Sequence, residues 1–282
     1  MKLIKAYQKD GTLLADIRQA PSDPTLFSCW WLGQSGFLIK WAGKHLLLDP
    51  YLSDSLTKKY ANTDKPHIRM SELVIDPARL DFIDIVTSSH NHTDHLDAET
   101  LIPLMRVNPG LKMVIPEANR AFAAHRLQCD PAWPIGLDAR QSVEIQDFKI
   151  AAVPAAHEDV DRDEAGRCHY LGYVVAFGSF KIYHSGDTVR YDGMEDLLRP
   201  FGVDVAFLPI NGRAPERRVA GNLNAAEAAR LGKDIGAKLV VPCHYDLFTF
   251  NTADPADFET AAKKLGLNFR ILREGESFCH KR

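Results

Sequence analysis

His90-Asn91-His92-Thr93-Asp94-His95 places four metal-binding side chains within six residues. This stretch follows the apolar run Phe82-Ile83-Asp84-Ile85-Val86-Thr87, which is short and rich in β-branched residues and therefore predicts a buried strand. Asp97 is a suitable N-cap for a helix that begins at Ala98. The motif thus occupies a loop between a strand and a helix, where a rigid scaffold presents functional groups.

The density of the motif favours a metal site over an ordinary polar loop. A lone histidine in a loop is more often a surface or core residue than a ligand. Four ligand-type side chains this close together are different, because crowded imidazoles at a strand end are costly without a cation to satisfy them.

Three further ligand-type residues occupy similar positions. His157, Asp187 and His244 each come just after a predicted strand. Because strand ends that share an edge of an α/β sheet form a common crevice, we expect these residues to lie near the motif. The whole set contains five histidines and two aspartates, which suits two divalent cations with nitrogen and oxygen ligands.

The chain length and the order of predicted elements indicate one α/β domain covering residues 1–282. Predicted strands and helices alternate in both halves, and no linker rich in Gly, Ser or Pro separates them. Two irregular loops stand out, at residues 51–72 and 211–221. A loop as long as the first either covers a site or is a surface excursion, and the sequence leaves both open.

The composition limits the classes of molecule that the protein is expected to bind. A formal net charge of −3 gives no global field for nucleic acid or an anionic membrane, so a small-molecule substrate is expected. The five cysteines are scattered, and the N-terminus lacks the apolar core of a signal peptide, which together predict a cytoplasmic protein. No apolar run is long enough to cross a bilayer. The sequence leaves a homo-oligomer open.

The ordered pattern His-x-His-x-Asp-His, then His, Asp and His, resembles the metallo-β-lactamase superfamily from about Phe27 to Phe278. The resemblance implies a four-layer αββα sandwich. It also implies two metal sites, one held by His90, His92 and His157 and the other by Asp94, His95 and His244, with Asp187 bridging them.

Several stretches are similar to the L-ascorbate-6-phosphate lactonase group of that superfamily. They are Trp30-Trp31-Leu32-Gly33, Tyr183-His184-Ser185-Gly186-Asp187 and Val240-Val241-Pro242-Cys243-His244-Tyr245-Asp246. The resemblance implies a hydrolase that uses a metal-activated hydroxide on a small ester, expected to be a phosphorylated or carboxylated lactone. The wider superfamily favours Zn²⁺ and the lactonase group favours Mn²⁺.

Two aspartates are expected to act directly in the reaction. A pair of cations would lower the pKa of a water held between them, and the resulting hydroxide would attack a carbonyl or phosphoryl centre. Asp187 would fix the metal pair, and Asp94 would also orient the nucleophile. Asp49, after the strand Leu46-Leu47-Leu48, and His184 would support the ligands from behind.

Three more residues are candidates for substrate contacts. Arg213 and Arg217 lie in a loop between crevice-forming segments, where guanidinium groups would clamp a phosphate or carboxylate. Tyr245 follows the ligand His244 and would donate a hydrogen bond to a substrate oxygen.

Three alternatives to an ester hydrolase stay open. A phosphodiesterase or nuclease would use the same two-metal scaffold, but a nuclease would be expected to show a basic exosite. A di-iron redox protein on this scaffold would resemble the pattern His-x-Glu-x-Asp. This chain has His92 at the position of the glutamate. A metal-binding interaction module without catalysis is the third.

Overall fold

A computed structural model describes residues 2–281, which form two β-sheets covered by helices. The strands are β1 (Leu26–Gly33), β2 (Gly36–Trp41), β3 (Lys44–Leu48), β4 (Ile85–Thr87), β5 (Lys112–Pro116), β6 (Pro134–Leu137), β7 (Ser142–Ile145), β8 (Phe148–Pro154), β9 (Leu171–Phe177), β10 (Phe180–His184), β11 (Val205–Pro209), β12 (Leu239–Cys243) and β13 (Ser277–Lys281). The α-helices are α1 (Asp10–Gln19), α2 (Ser55–Tyr60), α3 (Ala98–Val107), α4 (Arg120–Leu127), α5 (Met194–Leu198), α6 (Ala225–Asp234) and α7 (Pro255–Lys264).

Each half of the chain builds one sheet. The first sheet has the order β13-β1-β2-β3-β4-β5-β6, and the second has the order β12-β11-β10-β9-β8-β7. Both sheets are mixed: β3, β4, β5 and β6 pair in parallel in the first, and β10, β11 and β12 pair in parallel in the second. Strand β13 comes from the end of the chain but belongs to the first sheet, where it pairs antiparallel with β1.

The main core lies between the two sheets. In β1, the alternate residues Phe27, Cys29 and Trp31 face the second sheet and pack in this core. The residues between them point the other way, so Trp30 packs in the second hydrophobic cluster, under the helices. Because both faces of β1 are covered, all eight of its residues are buried.

Helices cover the outer face of each sheet. Buried residues of α1, α3 and α4 belong to the same cluster as the outer residues of β1 to β5. Residues of α5, α6 and α7 pack with the second sheet. The predicted four-layer αββα sandwich is therefore confirmed.

Two strand predictions failed at the sheet edges. The apolar stretch 268–272 favours a strand by its sequence pattern, but it forms a single bridge, between Phe269 and Val240. Strand β6 was not predicted, because Pro134 and Gly136 weaken the pattern; a proline is tolerated there since β6 is an edge strand. Within residues 2–281, no helix is both long and apolar enough to cross a membrane.

Lys40 is a buried lysine that completes the end of α1. It lies in β2 with 4% of its surface exposed, and its side chain points outward to the helix layer. Its Nζ donates to the carbonyl oxygens of Ile17, Arg18 and Ala20 at 2.9, 3.1 and 2.7 Å. The last carbonyls of a helix have no partner within the helix, so the ammonium group satisfies them and favours the negative end of the helix dipole.

We expect Lys40→Met to lower the free energy of unfolding by about 1–3 kcal/mol, because it leaves these carbonyls without a donor at a buried site. Urea unfolding followed by circular dichroism measures the change. Lys44→Met is the matched control, because Lys44 in β3 pairs with Asp147 at the surface. A loss no larger than that of the control would show that solvent satisfies the end of α1.

Candidate metal centre

Six strands end at one edge of the sandwich, and four of them lead to predicted ligands. In the first sheet, β1 and β3 are both antiparallel to β2 and therefore run in the same direction, and β4 is parallel to β3. Their carboxyl ends lead to Gln34, Asp49 and His90. In the second sheet, the chain reaches His157 after β8, Asp187 after β10 and His244 after β12.

The donor atoms of the predicted ligands form two groups, and Asp49 forms a third with His90 and His95. Ligand-type atoms of His90, His92 and His157 lie within 4.8 Å of one another, and so do those of Asp94, His95 and His244. The structure thus brings together the two ligand sets that the resemblance implied.

Asp187 lies between the two groups. Its Oδ1 is 3.3 Å from His95 Nε2, and its Oδ2 is 3.4 Å from His244 Nε2 and 3.6 Å from His157 Nε2. Burial would raise the pKa of Asp187, but His95 and His244 hold it well below its usual range. The position is that of a carboxylate able to bridge two cations.

The residues present fit a divalent metal. Within residues 2–281, the buried atoms His90 Nε2, His95 Nε2 and Asp187 Oδ1 have no hydrogen-bond partner, which is costly unless a cation satisfies them. Burial lowers the pKa of His90 well below its usual range, so its ring is neutral and offers a lone pair. Imidazole nitrogens and carboxylate oxygens are suitable ligands for Zn²⁺ or Mn²⁺.

Asp49 holds the motif from behind. It is fully buried, its Oδ2 accepts from His95 Nδ1 at 2.8 Å, and its Oδ1 accepts from the backbone N–H of Ser89 at 3.0 Å. A carboxylate can only accept here, so His95 Nδ1 carries the hydrogen and Nε2 is left free to face Asp187. The Ser89 hydroxyl also donates to Asp49 and contacts His90 Nδ1 at 2.9 Å.

His184 supports the Asp187 loop without facing the cleft. Its ring is buried, Nε2 donates to the carbonyl of Ser35 at 2.8 Å, and Nδ1 accepts from the N–H of Gly186 at 3.3 Å. The ring therefore joins the turn after β1 to the loop after β10.

A cleft of about 410 Å³ opens over the donor atoms. Residues 51–72 form one of its walls and include α2, so this loop covers the site. The loop at residues 211–221 forms part of the other side through Val219 and Ala220. His157 Nδ1 donates to the carbonyl of Gly221 at 2.7 Å, and Arg218 pairs with Asp64 at 2.8 Å, linking the two loops.

One side of the cleft is aromatic. Tyr60, His67, Phe248 and Phe250, which we call the aromatic wall, line it together with Leu56. The rings of Tyr60 and His67 stack at 4.1 Å, and His67 meets Phe250 edge-on at 4.5 Å. Such a surface suits an apolar part of a ligand.

Two positively charged side chains, Lys59 and Arg126, also line the cleft, and the sequence did not predict them as site residues. Lys59 lies 5.1 Å from the centre of the Tyr60 ring, and Arg126 lies 4.5 Å from that of Phe122. Among the ion pairs of residues 2–281, none involves either of them, whereas Lys58 pairs with Glu99 at 2.6 Å. Arg126 also donates to the carbonyls of Asn91 and Leu96, so it braces the motif.

Tyr245 does not contact the cleft, contrary to expectation. His244 has a left-handed backbone (φ 64°), so the chain turns there and the next side chain points into the core. Tyr245 is 1% exposed, packs on Trp31 with ring centres 4.4 Å apart, and donates to the carbonyl of Leu272. Its role in the structure is packing.

Arg213 and Arg217, which were expected to clamp a substrate anion, are not among the residues that line the cleft. Arg213 makes a two-pronged ion pair with Glu227 at 2.7 and 2.9 Å, on the outside of α6. Arg217 donates to the carbonyls of Asn211 and Thr252. Both guanidinium groups hold their own loop in place.

Several known proteins are similar to this chain in sequence or in fold. A family model described as a β-lactamase superfamily domain matches residues 29–244. A UPF0173 metal-dependent hydrolase of Rubrobacter xylanophilus is 31% identical over 255 residues, covering 87% of this chain and 93% of that protein. Among solved structures, Igni18, a metallo hydrolase of Ignicoccus hospitalis, superposes with a TM-score of 0.67 at 22% identity, covering 92% of this chain and all of the other. The metallo-β-lactamase fold protein YhfI of Bacillus subtilis gives 0.64 at 18% identity, with coverage of 91% and 100%.

We expect Asp49→Asn to weaken metal affinity about 10- to 100-fold, because the amide no longer fixes the His95 ring with a full charge. Competition with a chelator measures the affinity. Asp196→Asn, at an exposed carboxylate on α5, is the control. Unchanged affinity in Asp49→Asn, with an unchanged unfolding midpoint, would show that the ring is held by packing alone.

Proposed function

This chain belongs to the β-lactamase superfamily of metal-dependent hydrolases, and on that basis we propose that its substrate is a small ester with an anionic group, in the form of a lactone. The observation that carries the proposal is the make-up of the cleft. Metal-ligand donors form its floor, and the unpaired cations Lys59 and Arg126 lie at its sides. An anionic group on the substrate would form ion pairs with these two positively charged side chains.

The aromatic wall adds a second requirement. Its rings lie in the same cleft as Lys59 and the donor atoms, so a substrate that fills the space offers an apolar face as well as an anion. This favours a lactone with a hydrocarbon or aromatic substituent over one with hydroxyl groups only, since hydroxyls buried on this wall would lack partners.

The roles of the side chains follow from their positions. Bound cations, Zn²⁺ or Mn²⁺, would supply a water of lowered pKa and stabilise the charge that develops on the ester oxygen. Asp187 would hold the two cation sites together. Asp94 is more exposed than Asp187 and lines the cleft, so its carboxylate would orient the attacking water. His95 is fixed by Asp49 and would keep its Nε2 directed at the same centre.

A phosphodiesterase is the second candidate. Lys59 and Arg126 would suit a phosphodiester as well as a carboxylated lactone. The net charge of −3 offers no wider basic surface for a long nucleic acid, so within this alternative a small phosphodiester is favoured.

Protein reconstituted with Zn²⁺ or Mn²⁺ should hydrolyse lactones in a panel that varies the anionic and apolar groups, and His92→Ala should lose that activity because one ligand is missing. Metal content per chain is measured on the same samples. Cleavage of bis(p-nitrophenyl) phosphate without lactone hydrolysis would favour the phosphodiesterase. Failure of the loaded protein on both substrate classes would contradict the proposal.

Lys59→Gln should raise KM for a carboxylated lactone about threefold to tenfold with kcat little changed, because a charged contact to the substrate is lost. KM for the neutral analogue should stay the same. Lys58→Gln is the matched control, since the neighbouring Lys58 pairs with Glu99. Equal effects on both substrates would remove Lys59 from anion recognition.

A further inference from the structure

Gln34 brings a carboxamide into the metal centre that the superfamily motif does not include. The residue follows β1 and is 1% exposed. Its Nε2 lies 2.8 Å from Asp94 Oδ2 and 3.0 Å from His244 Nε2. Its Oε1 is buried without a hydrogen-bond partner among residues 2–281. A buried amide with one end unsatisfied and the other end against two ligand atoms calls for an explanation.

The separations are those expected between ligands of one cation. Donor atoms bound to one divalent ion at about 2.0–2.2 Å lie roughly 3.0–3.5 Å apart in tetrahedral or octahedral geometry. His244 Nε2 lies 3.7 Å from Asp94 Oδ2, and His95 Nε2 lies 3.7 Å from the same oxygen. The inner end of the Gln34 amide is at least as close to two of these donors as they are to each other.

A bound cation would favour the orientation of the Gln34 amide in which Oε1, and not Nε2, faces Asp94 and His244. A cation held by Asp94 and His244 repels the N–H groups of the amide and attracts its carbonyl oxygen. Turning the amide by half a rotation exchanges Nε2 and Oε1. The turn gives up the two contacts of Nε2, with Asp94 and His244, and no bond of Oε1. Amide oxygens are ligands for hard divalent ions.

The backbone fixes Gln34 at this distance. Its carbonyl accepts from the N–H of His244 at 3.0 Å and from Trp31 Nε1 at 3.0 Å. Both Gln34 and His244 adopt left-handed backbone conformations, with φ of 49° and 64°. Such strained residues persist only where surrounding contacts hold them, and here they hold the amide beside a ligand ring.

We propose that Gln34 is a further ligand of the cation site formed by Asp94, His95 and His244, through Oε1 of its side chain. This site would then have one more oxygen donor than the superfamily pattern gives it. An added oxygen favours a harder ion with a higher coordination number, such as Mn²⁺, over tetrahedral Zn²⁺ at this site. The inference depends on metal binding and not on the identity of the substrate.

The test compares Gln34→Leu, Gln34→Glu and the surface control Gln19→Leu. Affinities for Mn²⁺ and Zn²⁺ at both sites are measured by chelator competition, and the coordination of Co²⁺ is followed by its visible absorption. Gln34→Leu should weaken one of the two sites about 10- to 100-fold, more for Mn²⁺ than for Zn²⁺, and change the Co²⁺ spectrum. Gln34→Glu should keep or strengthen that site, because its carboxylate also supplies an oxygen.

Two results would overturn the proposal. The first is a Gln34→Leu protein with the affinities and the Co²⁺ spectrum of the unmodified chain. The second is equal weakening in the Leu and Glu variants, which would mean that the amide N–H groups matter and not the oxygen. Thermal unfolding of each variant shows whether it is folded. Since no readout uses turnover, inactivity on lactones would leave this result standing.

Discussion

A carboxylate buried among imidazoles is the constraint on which the centre depends. Asp187 is 3% exposed, and the Nε2 atoms of His95, His157 and His244 lie within 3.3–3.6 Å of its oxygens. One of these histidines comes from the first sheet and two come from the second. The arrangement therefore exists only if the two sheets pack at the right spacing, and the core between them sets that spacing. Asp49, at the base, fixes the ring of His95 and the motif loop at once.

Much of the fold and the ligand set could be predicted because local sequence patterns indicate both. The strand before the motif and the start of α3 at Ala98 are as predicted, since an apolar run and a capping aspartate mark them. Ligand-type residues follow strands that run in one direction, so their meeting at one edge could be expected without coordinates. The capping box at Asn224 and Glu227 is likewise a local signal, and it is present.

The remaining parts depend on contacts between distant segments. The position of Tyr245 next to a ligand predicts a place in the cleft, but the left-handed turn at His244 directs its side chain into the core. Lys59 and Arg126 reach the cleft from α2 and α4, and nothing near them in sequence indicates this. Gln34 does carry a sequence signal, because it directly follows β1, a strand that runs in the same direction as β3, which leads to Asp49.

The surroundings of Trp31 make its intrinsic fluorescence a probe of the metal centre. The indole is buried, donates to the carbonyl of Gln34, and packs at a tilt against Tyr245, the neighbour of His244. A ligand that shifts either neighbour changes the polarity and hydrogen bonding around this indole, and these properties govern tryptophan emission. The intrinsic fluorescence of Trp31 is therefore coupled to ligand binding at the carboxyl end of β1. No chromophore has to be added to follow it.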